Sequence, residues 1–93
     1  MDLYPSRGND CGVPSYSTRN RKQPALVALG QAIRRLRDAA EVSQEELALR
    51  AGIDRGYMGG IERGESNPTV LNVVKIASAM NVTTAELLAQ AGL

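Results

Sequence analysis

Two short apolar patterns of helical period, at about 43–51 and 54–63, are separated by only Gly52 and Ile53. A connection this short predicts two helices that cross at a steep angle. The crossing requires a small residue on the first helix and a turn residue that tolerates positive φ, and Ala48 and Gly52 meet these demands. Apolar anchors are present on both sides of the turn, at Leu47, Ala51, Ile53, Met58 and Ile61.

Local signals mark where helices begin. Ser43 is placed as an N-cap, and Glu46 three residues later predicts a capping box with it. Thr83 and Glu86 repeat this pattern before the last helix. Asp54 is a further N-cap candidate, directly before the second helix of the central unit.

Three more helices follow from the apolar period. A first helix is predicted at about 25–40, and a fifth at about 83–91. A fourth begins at Asn67-Pro68 or at Thr69 and runs to about Met80. We expect it to be the central buried helix because apolar residues leave it little polar surface: Val70, Leu71, Val73, Val74, Ile76, Ala77 and Met80. No strand pattern is visible, so the predicted fold class is all-α.

Residues 1–24 differ from the rest of the chain. They are rich in Gly, Pro, Ser, Thr and Asn, show no helical or strand period, and end at Pro24. We therefore divide the chain into a polar, weakly basic N-terminal arm at 1–24 and a helical domain at 25–93. The arm is interpreted either as a disordered tail or as a basic segment, Arg19-Asn20-Arg21-Lys22, that reaches a nucleic acid.

Composition excludes several classes of protein. Eleven basic and ten acidic residues give a net charge of +1, so any affinity for a polyanion must come from local placement of charge. The chain has no His and a single Cys11, which disfavours catalysis, an internal disulfide and a multi-cysteine metal site. No apolar stretch approaches a membrane span, and no secretory signal is visible. We expect a cytoplasmic protein that is not an enzyme, with no cofactor, metal or small-molecule ligand.

A set of motifs covering about 29–88 resembles the Xre (Cro/phage-repressor type) helix-turn-helix family. They are Ser43-Gln44-Glu45-Glu46-Leu47-Ala48, Ala51-Gly52, Asp54-Arg55, Tyr57, Ile61-Glu62-Arg63-Gly64, Asn67-Pro68-Thr69 and Lys75-Ile76-Ala77. The run from Asp54 to Arg63 also resembles the controller proteins of restriction–modification systems. The resemblance implies a compact, five-helix, lambda-repressor-like DNA-binding domain with a flexible arm and a helix-turn-helix unit at 44–63.

The resemblance implies a transcriptional regulator that binds double-stranded DNA, with helix 54–63 in the major groove. Arg55 falls at a base-reading position, where its guanidinium can bind guanine or, alternatively, a phosphate. Gln44, first in its helix, matches a phosphate-contacting position. Tyr57 is a candidate for a phosphate contact or for packing at the rim of the core. The other residues expected at DNA are Arg37, Gly56, Gly59, Gly60 and Arg63.

Two features of this surface are unusual. Glu62 is an acidic residue beside the expected phosphates, and the family pattern pairs it with a helix-1 arginine, here Arg37. Gly56, Gly59 and Gly60 occupy positions where relatives often carry long polar side chains. Either few bases are read directly and DNA shape contributes, or the glycines let the backbone approach the groove.

By analogy with paired operator half-sites, we expect a homodimer. Its predicted interface lies on the fifth helix and the C-terminus, at Leu87, Leu88 and Leu93, although these leucines can also simply close the core. The alternative function is an antitoxin or another protein-interaction module that uses the same fold, with the arm as the partner-binding segment.

Overall fold

A computed structural model describes residues 22–93, which form five α-helices. In chain order these are α1 (Pro24–Ala39), α2 (Gln44–Ala51), α3 (Arg55–Glu62), α4 (Val70–Ala79) and α5 (Thr84–Gln90). No strand occurs within 22–93. The predicted all-α, five-helix fold is confirmed. Each helix lies within two residues of its predicted bounds, apart from the start of α4, for which the sequence left two alternatives open.

Four of the five helices begin at a side chain that accepts a hydrogen bond from the backbone amide three residues later. The distances from cap oxygen to amide nitrogen lie between 2.9 and 3.1 Å, and the cap residues are Ser43, Asp54, Thr69 and Thr83. Each cap satisfies one of the amides that a helix N-terminus leaves without a partner. Because Thr69 is the cap, α4 starts from Thr69 and not from Asn67-Pro68, the other predicted start.

Of the two predicted capping boxes, only one is complete. The Glu86 carboxylate accepts from the backbone amide of Thr83 at 2.8 Å, which closes the box before α5. The carboxylate of Glu46 instead pairs with Arg50 one turn along α2, at 2.9 Å. The predicted box at Ser43 is therefore half formed, because an i,i+4 arginine competes for the same carboxylate.

The α2–α3 turn has the predicted conformation. Gly52 is left-handed, with φ 70° and ψ 36°, and the amide of Ile53 donates to the carbonyl of Ala48 at 2.9 Å. The connections after α1 and after α4 also contain a residue with the positive φ of the left-handed region. These residues are not glycines: Glu41 has φ 59° and Asn81 has φ 61°. The chain can therefore reverse direction after α1 and after α4 without a glycine.

The core is aliphatic and forms where all five helices meet. Helix α1 packs against α3 and α5, α2 packs against α3 and α4, and α4 also packs against α5. The largest fully buried side chains are Ile33, Leu47, Met58, Ile61, Ile76 and Leu87. The buried residues of this core cluster are all apolar, so apolar burial is its main source of stability.

The prediction that α4 is a central buried helix is wrong. Its side chains at Val73, Ile76 and Ala77 are buried, but Val70 is 79% exposed, Leu71 61% and Val74 42%. Helix α4 packs mainly against α2 and α5, so one stripe faces the core and the neighbouring apolar stripe faces outward. No helix of the described chain is long and apolar enough to cross a membrane.

Candidate nucleic-acid interface

The N-terminal ends of α2 and α3 lie side by side at the surface. Gln44 is the first residue of α2 and Arg55 the first residue of α3. An Nη1–H of Arg55 donates to Oε1 of Gln44 over 3.4 Å, a long hydrogen bond that joins the two helix starts. Unpaired amides and the helix dipole make each of these ends partly positive. The exposed Arg55 guanidinium adds a full positive charge between them.

Glu62, at the end of α3, is held by a fork of hydrogen bonds from Arg37. The Nε of Arg37 donates to one carboxylate oxygen at 2.8 Å, and Nη2 donates to the other at 3.0 Å. The side chains are 12% exposed in Arg37 and 4% in Glu62. The structure therefore brings together the two residues expected to pair, and it neutralises the acidic charge of Glu62 at this surface.

The same arginine is tied to the loop that leads into α2. Its Nη1 donates to the carbonyl oxygen of Val42 at 3.1 Å and lies 3.7 Å from a carboxylate oxygen of Asp38. Hydrogen bonding to Glu62 raises the pKa of Arg37 above its ordinary value, against an opposing effect of burial. Arg37 is thus permanently charged and links α1, the α2 start and the α3 end.

Gln44 makes a contact that the sequence analysis missed. Its Nε2 donates to Oε1 of Glu62 at 3.0 Å, so the Arg37–Glu62 pair extends to the first residue of α2. These partners are 18 and 25 residues from Glu62 along the chain. No local pattern in the sequence could have shown this three-residue arrangement.

Tyr57 lies at the rim of the core and keeps a polar contact. The side chain is half-buried and packs against the core cluster. Its hydroxyl oxygen accepts from Nδ2 of Asn72 on α4 at 3.3 Å. The hydroxyl proton remains able to donate to a phosphate, because this contact uses the oxygen as an acceptor. Asn72 is a second partner that the sequence analysis did not identify.

The three glycines of α3 lie in different surroundings. Gly56 is exposed, whereas Gly59 and Gly60 are buried. A β-carbon at Gly59 would stand 3.0 Å from Nη1 of Arg63, whose side chain lies across the helix there. A β-carbon at Gly60 would stand 2.6 Å from the hydroxyl oxygen of Ser66 in the following loop. Gly60 therefore faces that loop and is removed from the predicted DNA-contacting set.

The C-terminal end of α3 meets the start of the described chain. Arg63 caps α3, and its Nε donates to Glu65 at 3.2 Å. The backbone amide of Lys22 donates to the carbonyl oxygen of Gly64 at 2.8 Å, and its Nζ donates to that of Arg63 at 3.0 Å. Lys22, the last basic residue of the predicted arm, thus lies beside α3. Residues 1–21 of that arm, with Cys11, lie outside the described residues.

The predicted dimer residues separate into three environments. Leu87 is fully buried in the core, Leu88 is half-buried against it, and Leu93 is exposed. Leu87 therefore cannot contribute a surface contact, since α5 turns this face toward α1 and α4. Within residues 22–93, no three His, Cys, Asp or Glu side chains are grouped as metal ligands.

Two short helices that cross at a left-handed glycine, with their N-terminal ends and an exposed arginine on one surface, define the helix-turn-helix class of DNA-binding proteins. Residues 33–87 match the family model described as Helix-turn-helix (HTH_3), which covers more than half of the chain. The chain belongs to this family.

Individual relatives agree with this assignment. The control protein C.SmaI of Serratia marcescens is 37% identical over 65 residues, covering 70% of this chain and 77% of the relative. The uncharacterized HTH-type transcriptional regulator y4dJ of Sinorhizobium fredii is 37% identical over 59 residues, or 63% and 77% of the two chains.

A solved structure shows the same fold. The restriction-modification controller protein C.AhdI from Aeromonas hydrophila superposes with a TM-score of 0.69 at 45% identity, covering 70% of this chain and 98% of that one. The resemblance inferred from the sequence is confirmed. The chain is a sequence-specific DNA-binding transcriptional regulator, and these similarities do not favour the antitoxin alternative.

Proposed function

We propose that this chain binds its operator as a homodimer, with α3 of each protomer in the major groove, in the manner of a restriction–modification controller. Arg55 donates to a base edge, Gln44 and the start of α2 hold a phosphate, and Tyr57 donates to the backbone beside it. Because the proposed partner is DNA, we place its action in the cytoplasm.

One observation carries this proposal: the 3.4 Å contact between Arg55 and Gln44. It sets the positive ends of α2 and α3 and an exposed guanidinium on one surface. A phosphate bound at the α2 start would therefore lie beside the arginine that reads a base. The Arg37–Glu62 pair supports the same orientation, because it prevents a free carboxylate from repelling the DNA backbone at this edge.

The proposed dimer surface is the exposed stripe of α4, extended by the C-terminus. Val70, Leu71 and Val74 share this stripe, and Leu93 is a further exposed leucine. A contiguous exposed apolar face is a frequent protein–protein interface. This surface replaces the predicted one on α5, and Leu93 is retained from it. A two-fold dimer would bring two α3 helices to successive half-sites of one operator.

The experiment is a fluorescence anisotropy titration at several salt concentrations. The probe is a duplex selected from random sequence by the wild-type protein, and an unrelated duplex of equal length measures non-specific binding. We expect strong preference for the selected duplex. Arg55→Ala should lose most of that preference but retain weak, salt-dependent binding, because the phosphate contacts remain.

Arg50→Ala is the matched control. Arg50 is an arginine in the last turn of α2, about 9 Å along the helix from Gln44 at 1.5 Å per residue, and it pairs with Glu46. We expect it to leave the preference for the selected duplex unchanged. If selection yields no preferred duplex, this surface does not read DNA. If Arg50→Ala and Arg55→Ala behave alike, Arg55 is not the residue that reads a base.

A further inference from the structure

We propose that Glu62 positions Arg55 for base reading, and that the side-chain amide of Gln44 transmits its effect. The inference rests on the proposed function, since it concerns how the reading arginine is oriented. A chain of hydrogen bonds supports it: Arg37 to Glu62, Gln44 to Glu62, and Arg55 to Gln44. Glu62 is thus a positioning residue that does not itself touch DNA.

The donor and acceptor at each step of this hydrogen-bond series follow from the chemistry of its groups. An ionised carboxylate only accepts hydrogen bonds, so the NH2 end of the Gln44 amide must face Glu62. Its carbonyl end then points away from Glu62, toward Arg55. A guanidinium only donates, so it can bind this end of the amide and not the other. The charge on Glu62 therefore decides that Gln44 attracts Arg55.

Burial makes this orientation strong. The Glu62 side chain is 4% exposed, and its fork from Arg37 holds it in place. A charge-assisted hydrogen bond in such surroundings is stronger than one in water. Reversal of the Gln44 amide would set its carbonyl oxygen against the carboxylate, so one of its two orientations is strongly preferred.

Gly59 leaves the space that the Gln44 side chain occupies in this hydrogen-bond series. A β-carbon at this position would stand 3.3 Å from Oε1 of Gln44 and 3.0 Å from Nη1 of Arg63. Both contacts would be tighter than usual for a side chain. The glycine thus lets Gln44 cross the face of α3 toward Arg55. This accounts for a small residue at a position where a longer side chain would compete with Gln44.

The consequence for DNA is preorganisation. Arg55 has five N–H donors, and the bond to Gln44 uses one of them at Nη1. The remaining donors are available for the O6 and N7 acceptors of a guanine. A side chain restrained before binding loses less conformational freedom on binding than a free one. The preference for the correct base should therefore depend on Glu62.

Glu62→Gln tests the inference with almost no change in shape. Both carboxylate oxygens accept from Arg37, and Oε1 also accepts from Gln44, whereas a glutamine has only one acceptor oxygen. If that oxygen faces Nε of Arg37, the NH2 group faces that of Gln44, and Gln44 is expected to reverse and to present its own NH2 group to Arg55. If it faces Gln44 instead, the bond that orients Gln44 is no longer charge-assisted and holds the amide less strongly. The measurement is anisotropy on single-base-pair variants of the selected duplex. The base pair read by Arg55 is the one at which Arg55→Ala loses discrimination.

We expect Glu62→Gln to lose discrimination at that same base pair by roughly 2- to 10-fold, the effect of freeing one long side chain. Discrimination at other base pairs should remain. In an Arg55→Ala background, Glu62→Gln should have no further effect at that pair. Affinity for unrelated duplexes should rise or stay equal, because a negative charge has been removed. A merely structural role would instead weaken binding to every duplex alike.

Gln44→Met is the second variant, and it keeps the test decisive if Glu62→Gln folds poorly. It removes both hydrogen bonds at similar length. Loss of a phosphate contact lowers affinity for all duplexes, whereas loss of positioning lowers discrimination at the Arg55 base pair, and both are expected. If wild type discriminates and either folded variant keeps full discrimination at that pair, the inference is overturned.

Two other results are equally informative. If Arg55→Ala loses discrimination at no base pair although wild type prefers its selected duplex, Arg55 reads no base. The inference then fails while the proposed function in its general form holds. If wild type shows no preferred duplex at all, the proposed function itself fails.

Discussion

Gly30 in α1 lies directly against the backbone of Glu62 at the end of α3. A β-carbon at position 30 would stand 2.5 Å from the carbonyl oxygen of Ile61 and would overlap that of Glu62. Two helices can approach this closely only where one of them lacks a side chain. The close approach brings Arg37, further along α1, within reach of Glu62.

Gly30→Ala is therefore expected to destabilise the protein, although alanine is the better helix former. Overpacking costs about 1–3 kcal/mol. Because the clashing atoms here are backbone, we expect a cost toward the upper end, above the gain of about 1 kcal/mol in helix propensity. Urea unfolding followed by circular dichroism measures the difference. Gln31→Ala, at the exposed neighbouring position, should change stability by less than about 0.5 kcal/mol. A Gly30→Ala variant as stable as wild type would contradict the close approach.

Removal of Arg37 should be costly, and removal of both partners much less so. Arg37→Met leaves the buried carboxylate of Glu62 without its counter-charge, for an expected loss of about 3 kcal/mol. Arg37→Met combined with Glu62→Met should recover most of this loss, because no unpaired charge remains. The free energy of unfolding in urea measures both effects.

The control for this pair is Arg34→Met on the exposed side of α1. Arg34 lies 3.9 Å from Asp38, and both side chains are mostly exposed. Such a pair contributes about 0–1 kcal/mol, so we expect little change. A double variant as unstable as Arg37→Met alone would show that the burial of Glu62's charge is not the cause.

Helix α3 should depend strongly on its N-cap. It contains three glycines among eight residues, and each costs about 1 kcal/mol of helix propensity relative to alanine. Asp54→Ala removes the 3.1 Å bond to the amide of Tyr57, with an expected loss of about 1–2 kcal/mol. Because Arg55 follows directly, affinity for the selected duplex should fall as well.

Asp54→Asn separates capping from charge. The asparagine oxygen can accept the same bond, so stability and DNA affinity should stay close to wild type. Urea unfolding and anisotropy measure the two properties on the same samples. If Asp54→Asn is as damaging as Asp54→Ala, the charge of Asp54 matters more than its cap.

Val74→Glu should convert the proposed dimer to a monomer. Val74 lies in the exposed stripe of α4, so the substitution places a charge in the interface without disturbing the core. Sedimentation velocity measures the mass, and circular dichroism should show unchanged helix content. Leu49→Glu, at an exposed leucine of α2, is the control and should remain dimeric. A dimeric Val74→Glu variant would place the interface elsewhere.

Much of the fold could be predicted because its signals are local. A cap bond spans three residues, and the left-handed turn at Gly52 depends on that residue and its neighbours. Such interactions form in the same way wherever the segment lies in the molecule. For this reason the sequence located the helix starts, the α2–α3 turn and the all-α class. The motif resemblance added the expected Arg37–Glu62 pair.

The outward face of α4 could not be predicted, because its apolar residues occur on both sides of the helix. Hydrophobic period shows which residues share a stripe, and only the packing partners decide which stripe is covered. The same reason applies to Leu87, for which the sequence left a dimer interface and closure of the core as alternatives, and which lies in the core. A leucine pattern alone does not distinguish a core from an interface.

The helix starts, the turn at Gly52 and the family can all be read from the sequence. The contact of Gln44 with Glu62, the place of Lys22 beside the end of α3 and the outward apolar stripe of α4 become visible only in the folded molecule. These contacts join residues 18 and 41 positions apart in the first two cases. Their geometry depends on how the helices pack together, which no local propensity specifies.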